Sequence, residues 1–131
     1  MKARNVWTSV IVSNMVEAVK FYTEKLGFKP PEKFDPNSSY IILEAPGGLI
    51  VLKSVTWVQA EYQKPGDCKS LSIGIAVDDV EDDMKELQSK GVIFDPPHVV
   101  KSEPNTFAFF TDPDKNPLYL VSGPLSESQI V

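Results

Sequence analysis

The sequence predicts an α+β protein built from tandem βαβββ modules, its strands forming a curled mixed sheet around a cavity and its two helices lying on the outer face. Three observations lead there. Residues 6–28 and 71–94 repeat one pattern at a constant offset, which sets Val10 on Ile75, Val12 on Val77, Asn14 on Asp79, Val19 on Met84 and Tyr22 on Leu87. Each copy reads as a short β-rich strand, a polar cap, an amphipathic helix and a glycine stop. Each helix is then followed by three strand-like stretches separated by turn residues.

The helices follow from spacing. Met15, Ala18, Val19, Tyr22 and Leu26 recur at three- and four-residue intervals and make one apolar stripe. Asn14 with Glu17 three residues on forms a capping-box pattern, and Gly27 suits the stop. In the second copy Val80, Met84 and Leu87 repeat the stripe, with Asp79 as cap and Gly91 as stop. Glu81, Asp82 and Asp83 stand in the first turn, where the helix dipole favours negative charge, so this acidic run reads as a solvated helix face.

The strands expected in the first module are residues 29–34, 40–44 and 49–53, the last two joined at Ala45-Pro46-Gly47-Gly48. In the second they are 93–94 running on to 98–102, then 106–111 and 117–122, with a turn at Asp112-Pro113-Asp114-Lys115-Asn116. Pro96, Pro97 and Pro104 confine the 98–102 segment to an edge or an irregular strand. The chain is thus one domain, 1–131: module one about 5–54, a crossover loop about 55–69, module two about 70–122 and a polar tail 123–131. Alternation assigns the faces. Trp7, Ser9, Ile11, Leu49, Val51 and Lys53 point away from the first helix. Ser72, Gly74, Ala76, Tyr119 and Val121 do the same in the second module.

Composition narrows the partners. The chain of 131 residues is 42% hydrophobic and 24% charged, ordinary values for a folded domain. Its formal charge is −5 and no cluster of Lys and Arg makes a basic face, so nucleic acid and anionic membrane are not expected partners. No apolar run approaches the roughly 20 residues that span a bilayer. The single cysteine, Cys68, has no partner for an internal disulfide, and a reducing cytoplasm is the expected setting.

Two motifs carry a resemblance. VSNMVEAVKFYTEKLGF, residues 12–28, resembles the V-S-D-L…S-x-x-F-Y-x-x-x-L-G-F opening of the vicinal oxygen chelate proteins, the glyoxalase, bleomycin-resistance and extradiol dioxygenase superfamily. FTDPDKNPLYLV, residues 110–121, is similar to their closing F-x-D-P-D-G-N-x-x-E-L. Metal-dependent members hold one divalent ion on inward His and Glu side chains. Carried over residue by residue, those positions are Trp7, Ser72, Tyr119 and, on the last strand of the first module, Val51. None supplies the imidazole or carboxylate lone pair that a divalent ion needs. The one histidine, His98, cannot assemble another such site. The resemblance therefore implies a member without metal and without cofactor.

The leading expectation is a metal-independent small-molecule binder. Trp7, Ser9, Val51, Ser72 and Tyr119 are the candidate ligand-binding residues, an apolar lining with a few hydroxyls that suits an apolar or aromatic ligand. A tryptophan offers a stacking surface and a phenol a hydrogen bond in a dry site. Two alternatives come from other classes. One is an enzyme that uses Tyr119 or His98 as acid–base group; no catalytic residue is otherwise assigned. The other is a scaffold whose cavity its own aromatics fill. Glu44 and Lys53 also fall on inward parity, though long charged side chains at strand ends usually reach solvent. The resemblance implies a homodimer.

Overall fold

A computed structural model describes residues 1–55 and 71–127. Strand β1, Thr8–Val12, leads to Asn14, whose side chain accepts the Glu17 backbone N–H at 3.1 Å and so caps the helix. Helix α1, Met15–Lys20, then passes directly into a π-helical turn, Phe21–Lys25. There the Leu26 N–H reaches back to the Phe21 carbonyl at 3.1 Å, and the Thr23 hydroxyl donates to the Val19 carbonyl at 2.6 Å. The wider turn rotates the apolar stripe by about one residue. Phe21 and Tyr22 are both buried as a result, and Leu26 is only half-buried. Gly27, at φ 79, ends the element, and the Phe28 N–H bonds the Tyr22 carbonyl at 3.0 Å, which satisfies a carbonyl of the last turn.

Residues 29–34 do not form the expected strand. Lys29 makes one isolated bridge to Glu44, after which Pro30 and Pro31 lack the N–H groups a ladder needs. Strands β2, Tyr40–Ala45, and β3, Gly48–Ser54, form a hairpin in which Ala45 pairs with Gly48 across Pro46-Gly47. With β1 they make a three-stranded mixed sheet in the order β1-β3-β2, where β1 runs parallel to β3. The crossover loop and Cys68 lie outside the described residues apart from Val55, whose N–H bonds the Val12 carbonyl at 3.2 Å.

The second module follows the same plan with one strand more. It comprises β4 (Ile73–Ala76), α2 (Val80–Ser89), β5 (Val100–Ser102), β6 (Asn105–Thr111) and β7 (Pro117–Ser122). Asp79 caps α2 by accepting the Asp82 N–H at 3.0 Å. Its sheet is four-stranded, in the order β4-β7-β6-β5, with β4 and β7 parallel. Residues 93–94 do not run on into β5. Phe94 makes a single bridge to Phe110, and Pro96 and Pro97 interrupt the ladder before Val100. The start of the expected tail folds into a short 3₁₀ helix, Pro124–Glu127; residues 128–131 lie outside the described ones.

The strands therefore form two open mixed sheets of three and four strands, and neither closes into a barrel. Two compact units result. The first holds β1, α1, β2 and β3 with the turn Pro113–Asn116, and the second holds β4 to β7 and α2. In the first, Val12, Ile41, Leu43, Ile50 and Leu52 share the helix side of the sheet and are buried with Met15, Ala18, Val19 and Tyr22. In the second, Ala108, Phe110, Leu118 and Leu120 are buried on the side that receives Val80, Met84 and Leu87. Among the described residues no helix is long and apolar enough to cross a membrane.

Candidate functional site

Period-two alternation divides β6 and β7 between two faces. Leu118 and Leu120 turn to the helix, which leaves Tyr119 on the open face of the second sheet. Its antiparallel partner on β6 is Phe109, and Phe107 lies two residues along on the same face. The three rings form one half-buried cluster. Phe107 and Phe109 stack at 5.7 Å with planes 10° apart, and Tyr119 stands 5.7 Å from Phe107 and 6.0 Å from Phe109 at steep angles. Edge-to-face and offset arrangements of this kind are favourable beyond simple burial. They leave ring surface and a phenol hydroxyl directed away from the helix side.

Tyr119's partner on its other flank is Gly74, across the parallel β4–β7 pair. A Cβ at residue 74 would lie 2.6 Å from both Cζ and Oη of Tyr119. The phenol end therefore leans over β4. Ser72 lies two residues before Gly74, exposed and just outside the strand. Phe107 and Phe109 were not among the expected contacts. Parity carried from Tyr119 back through the turn at 112–116 would have placed both on its face.

The other expected contacts belong to the first unit. Ser9 pairs with Val51, which pairs in turn with Ile42, so these three share the open face of that sheet. Val51 is buried at 8% exposure, whereas Ser9 is exposed and Ile42 is 46% exposed. Trp7 precedes β1 and is 56% exposed. The structure thus brings Ser9 and Val51 together and places Tyr119 with Gly74, Phe107 and Phe109.

Glu44 and His98 sit at the surface. Glu44 makes an exposed ion pair with Lys29 at 3.5 Å, a contact worth little in water. His98 is an exposed loop residue whose Nδ1 lies 3.0 Å from the Val99 carbonyl. Trp7, Val51, Ser72 and Tyr119, the residues that the resemblance sets at metal positions, include no imidazole or carboxylate. Tryptophan N–H is a donor only, valine has no lone pair, and neutral hydroxyls are weak ligands beside imidazole or carboxylate. Among the described residues no three His, Cys, Asp or Glu side chains are grouped so as to hold a metal.

Comparison with known proteins gives a consistent result. The profile of the Glyoxalase/Bleomycin resistance protein/Dioxygenase superfamily matches residues 4–120. The chain is similar to a solved member of that superfamily from Sphaerobacter thermophilus DSM 20745, at 28% identity and a TM-score of 0.72, over 92% of this chain and 97% of that one. TnmS3, an antibiotic binding protein from Streptomyces sp. CB03234, is 29% identical with a TM-score of 0.67, over 91% of this chain and 94% of that one. A glyoxalase/bleomycin resistance protein from the same Streptomyces is 30% identical with a TM-score of 0.65, over 90% and 99% of the two chains. No curated protein matches.

Proposed function

Because the chain belongs to the glyoxalase/bleomycin resistance protein/dioxygenase superfamily, we propose that it is a metal-independent small-molecule-binding protein whose apolar or aromatic ligand lies against the open aromatic face of the second unit. The observation that carries this reading is the cluster of Phe107, Phe109 and Tyr119. Tyr119 takes the strand position where metal-holding relatives carry a glutamate, and a phenol there replaces metal coordination with stacking and one hydrogen bond. An aromatic surface beside a few polar groups is the usual lining of a small-molecule site. The likeness to an antibiotic binding protein supports the same direction.

Ser72 is the second expected contact in this unit, and its hydroxyl would face polar atoms at the ligand's edge. The test titrates the protein, purified without chelator, against a panel of planar aromatic compounds, following affinity and turnover together. Saturable binding without turnover, weakened in Tyr119→Phe, is expected. Near-stoichiometric zinc, nickel, manganese or iron by elemental analysis would remove the metal-independent part. Turnover abolished by Tyr119→Phe would make the protein an enzyme instead. A homodimer belongs to the reading on family grounds, and sedimentation showing only monomer at micromolar concentration would remove it.

A further inference from the structure

Gly74 stands inside a strand, where glycine ordinarily weakens pairing because it costs backbone entropy and packs no side chain. Its φ lies outside the left-handed region, so the backbone does not demand glycine. Space does. A Cβ at residue 74 would approach Cζ and Oη of Tyr119 to 2.6 Å and Cε2 to 2.9 Å, closer than carbon atoms pack. Tyr119 is held on its opposite flank by Phe109, its register partner, and by Phe107. Its ring fits only because residue 74 has no side chain.

We propose that Gly74 is a positioning residue for ligand recognition. By leaving room on β4, it lets Tyr119 lie over that strand and sets where the phenol hydroxyl meets a ligand stacked on Phe107 and Phe109. The ligand class this geometry takes is a flat aromatic ring carrying a hydrogen-bonding group at its edge. The inference rests on the binding reading above and adds to it the residue that fixes the tyrosine's pose. A methyl at residue 74 would push the phenol end off β4, moving the hydrogen bond while leaving the helix-side core untouched.

The experiment compares wild type, Gly74→Ala, Tyr119→Ala and the double variant. Ring-proton NMR of the ligand-free proteins reports the pose, with Tyr119→Phe assigning the signals. Titration with anilinonaphthalene sulfonate as planar aromatic probe reports binding. In Gly74→Ala the Tyr119 and Phe109 ring signals should shift, and probe affinity should fall about ten-fold. Adding Gly74→Ala to Tyr119→Ala should cost no further affinity, because the clash has gone. Unchanged ring signals in Gly74→Ala overturn the inference whether or not the probe binds, as does a full additive loss in the double variant. If Gly74→Ala does not fold, recovery of folding in the double variant supports the inference and continued misfolding overturns it. Shifted ring signals in a protein whose wild type binds no probe would instead remove the binding reading, and with it Gly74's part in recognition.

Discussion

The side-chain amide of Asn116 donates to the main-chain carbonyl of Ile11 at 3.0 Å, a buried hydrogen bond between residues 105 positions apart. Two residues earlier, the Asp114 carboxylate accepts the Ser13 backbone N–H at 3.1 Å and its hydroxyl at 2.6 Å. The turn between β6 and β7 therefore completes the hydrogen bonding of the β1–α1 connection, which is why Pro113–Asn116 groups with the first unit. The Asp-Pro-Asp-Lys-Asn motif has a structural role in addition to marking the family.

Asn116→Ala should destabilise the protein by about 1–3 kcal/mol, since it leaves a buried carbonyl without its donor. Asn116→Asp should cost at least as much, because a carboxylate accepts and cannot donate. Denaturant midpoints at constant slope measure both. A midpoint unchanged in both variants would show that water replaces the amide without cost.

Lys115 sits at φ 66, where the family pattern has glycine. A Cβ in the left-handed region costs about 1 kcal/mol. Lys115→Gly should raise stability by up to that amount, less the entropy glycine adds to the unfolded chain. Thermal unfolding is the measurement, and a lower midpoint for the glycine variant would contradict the strain.

Tyr119→Phe keeps the ring that packs on Phe107 and Phe109 and removes only the hydroxyl. Affinity for a hydrogen-bonding aromatic ligand should drop by about 1 kcal/mol, roughly five-fold, while the unfolding midpoint stays near wild type. Calorimetric titration decides this. Equal affinity for every ligand found would make the tyrosine a space-filler.

Asp83 has a carboxyl raised above its ordinary range, first by burial and then by the charges of Glu86, Asp79, Asp82 and Asp78. A carboxyl raised in the folded state opposes folding once it is ionised, so the penalty is absent at low pH and grows as pH rises through the carboxylate range. Asp83→Asn should therefore be more stable than wild type at neutral pH, with the difference closing on acidification. Stability curves between acid and neutral pH check the sign. A difference that widened in acid would refute it.

Some features were legible because they depend on neighbours in sequence. Asn14 and Asp79 cap their helices through the backbone three residues on, and Gly27 and Gly91 end them at positive φ. The failures were local too, but depended on chemistry that a hydrophobic pattern does not weigh. Pro30 and Pro31 stop a ladder that the surrounding residues would otherwise extend. The π turn at Phe21–Lys25 buries Phe21 beside Tyr22 and leaves Leu26, which the 3.6-residue period sets on the apolar stripe, only half-buried.

By itself the sequence determined the doubled module, the helix boundaries and the side of the sheet on which Tyr119 lies. These follow from periodicity, capping and residue chemistry, all of which act over a few positions. Only the tertiary structure decided that Gly74 leaves the space the Tyr119 ring occupies, and that Asn116 serves β1 from the far end of the chain. Strand order and register set those pairs, and both depend on which distant segments meet. No local pattern encodes that meeting, because a side chain's partners across a sheet belong to strands separated from it by turns and helices.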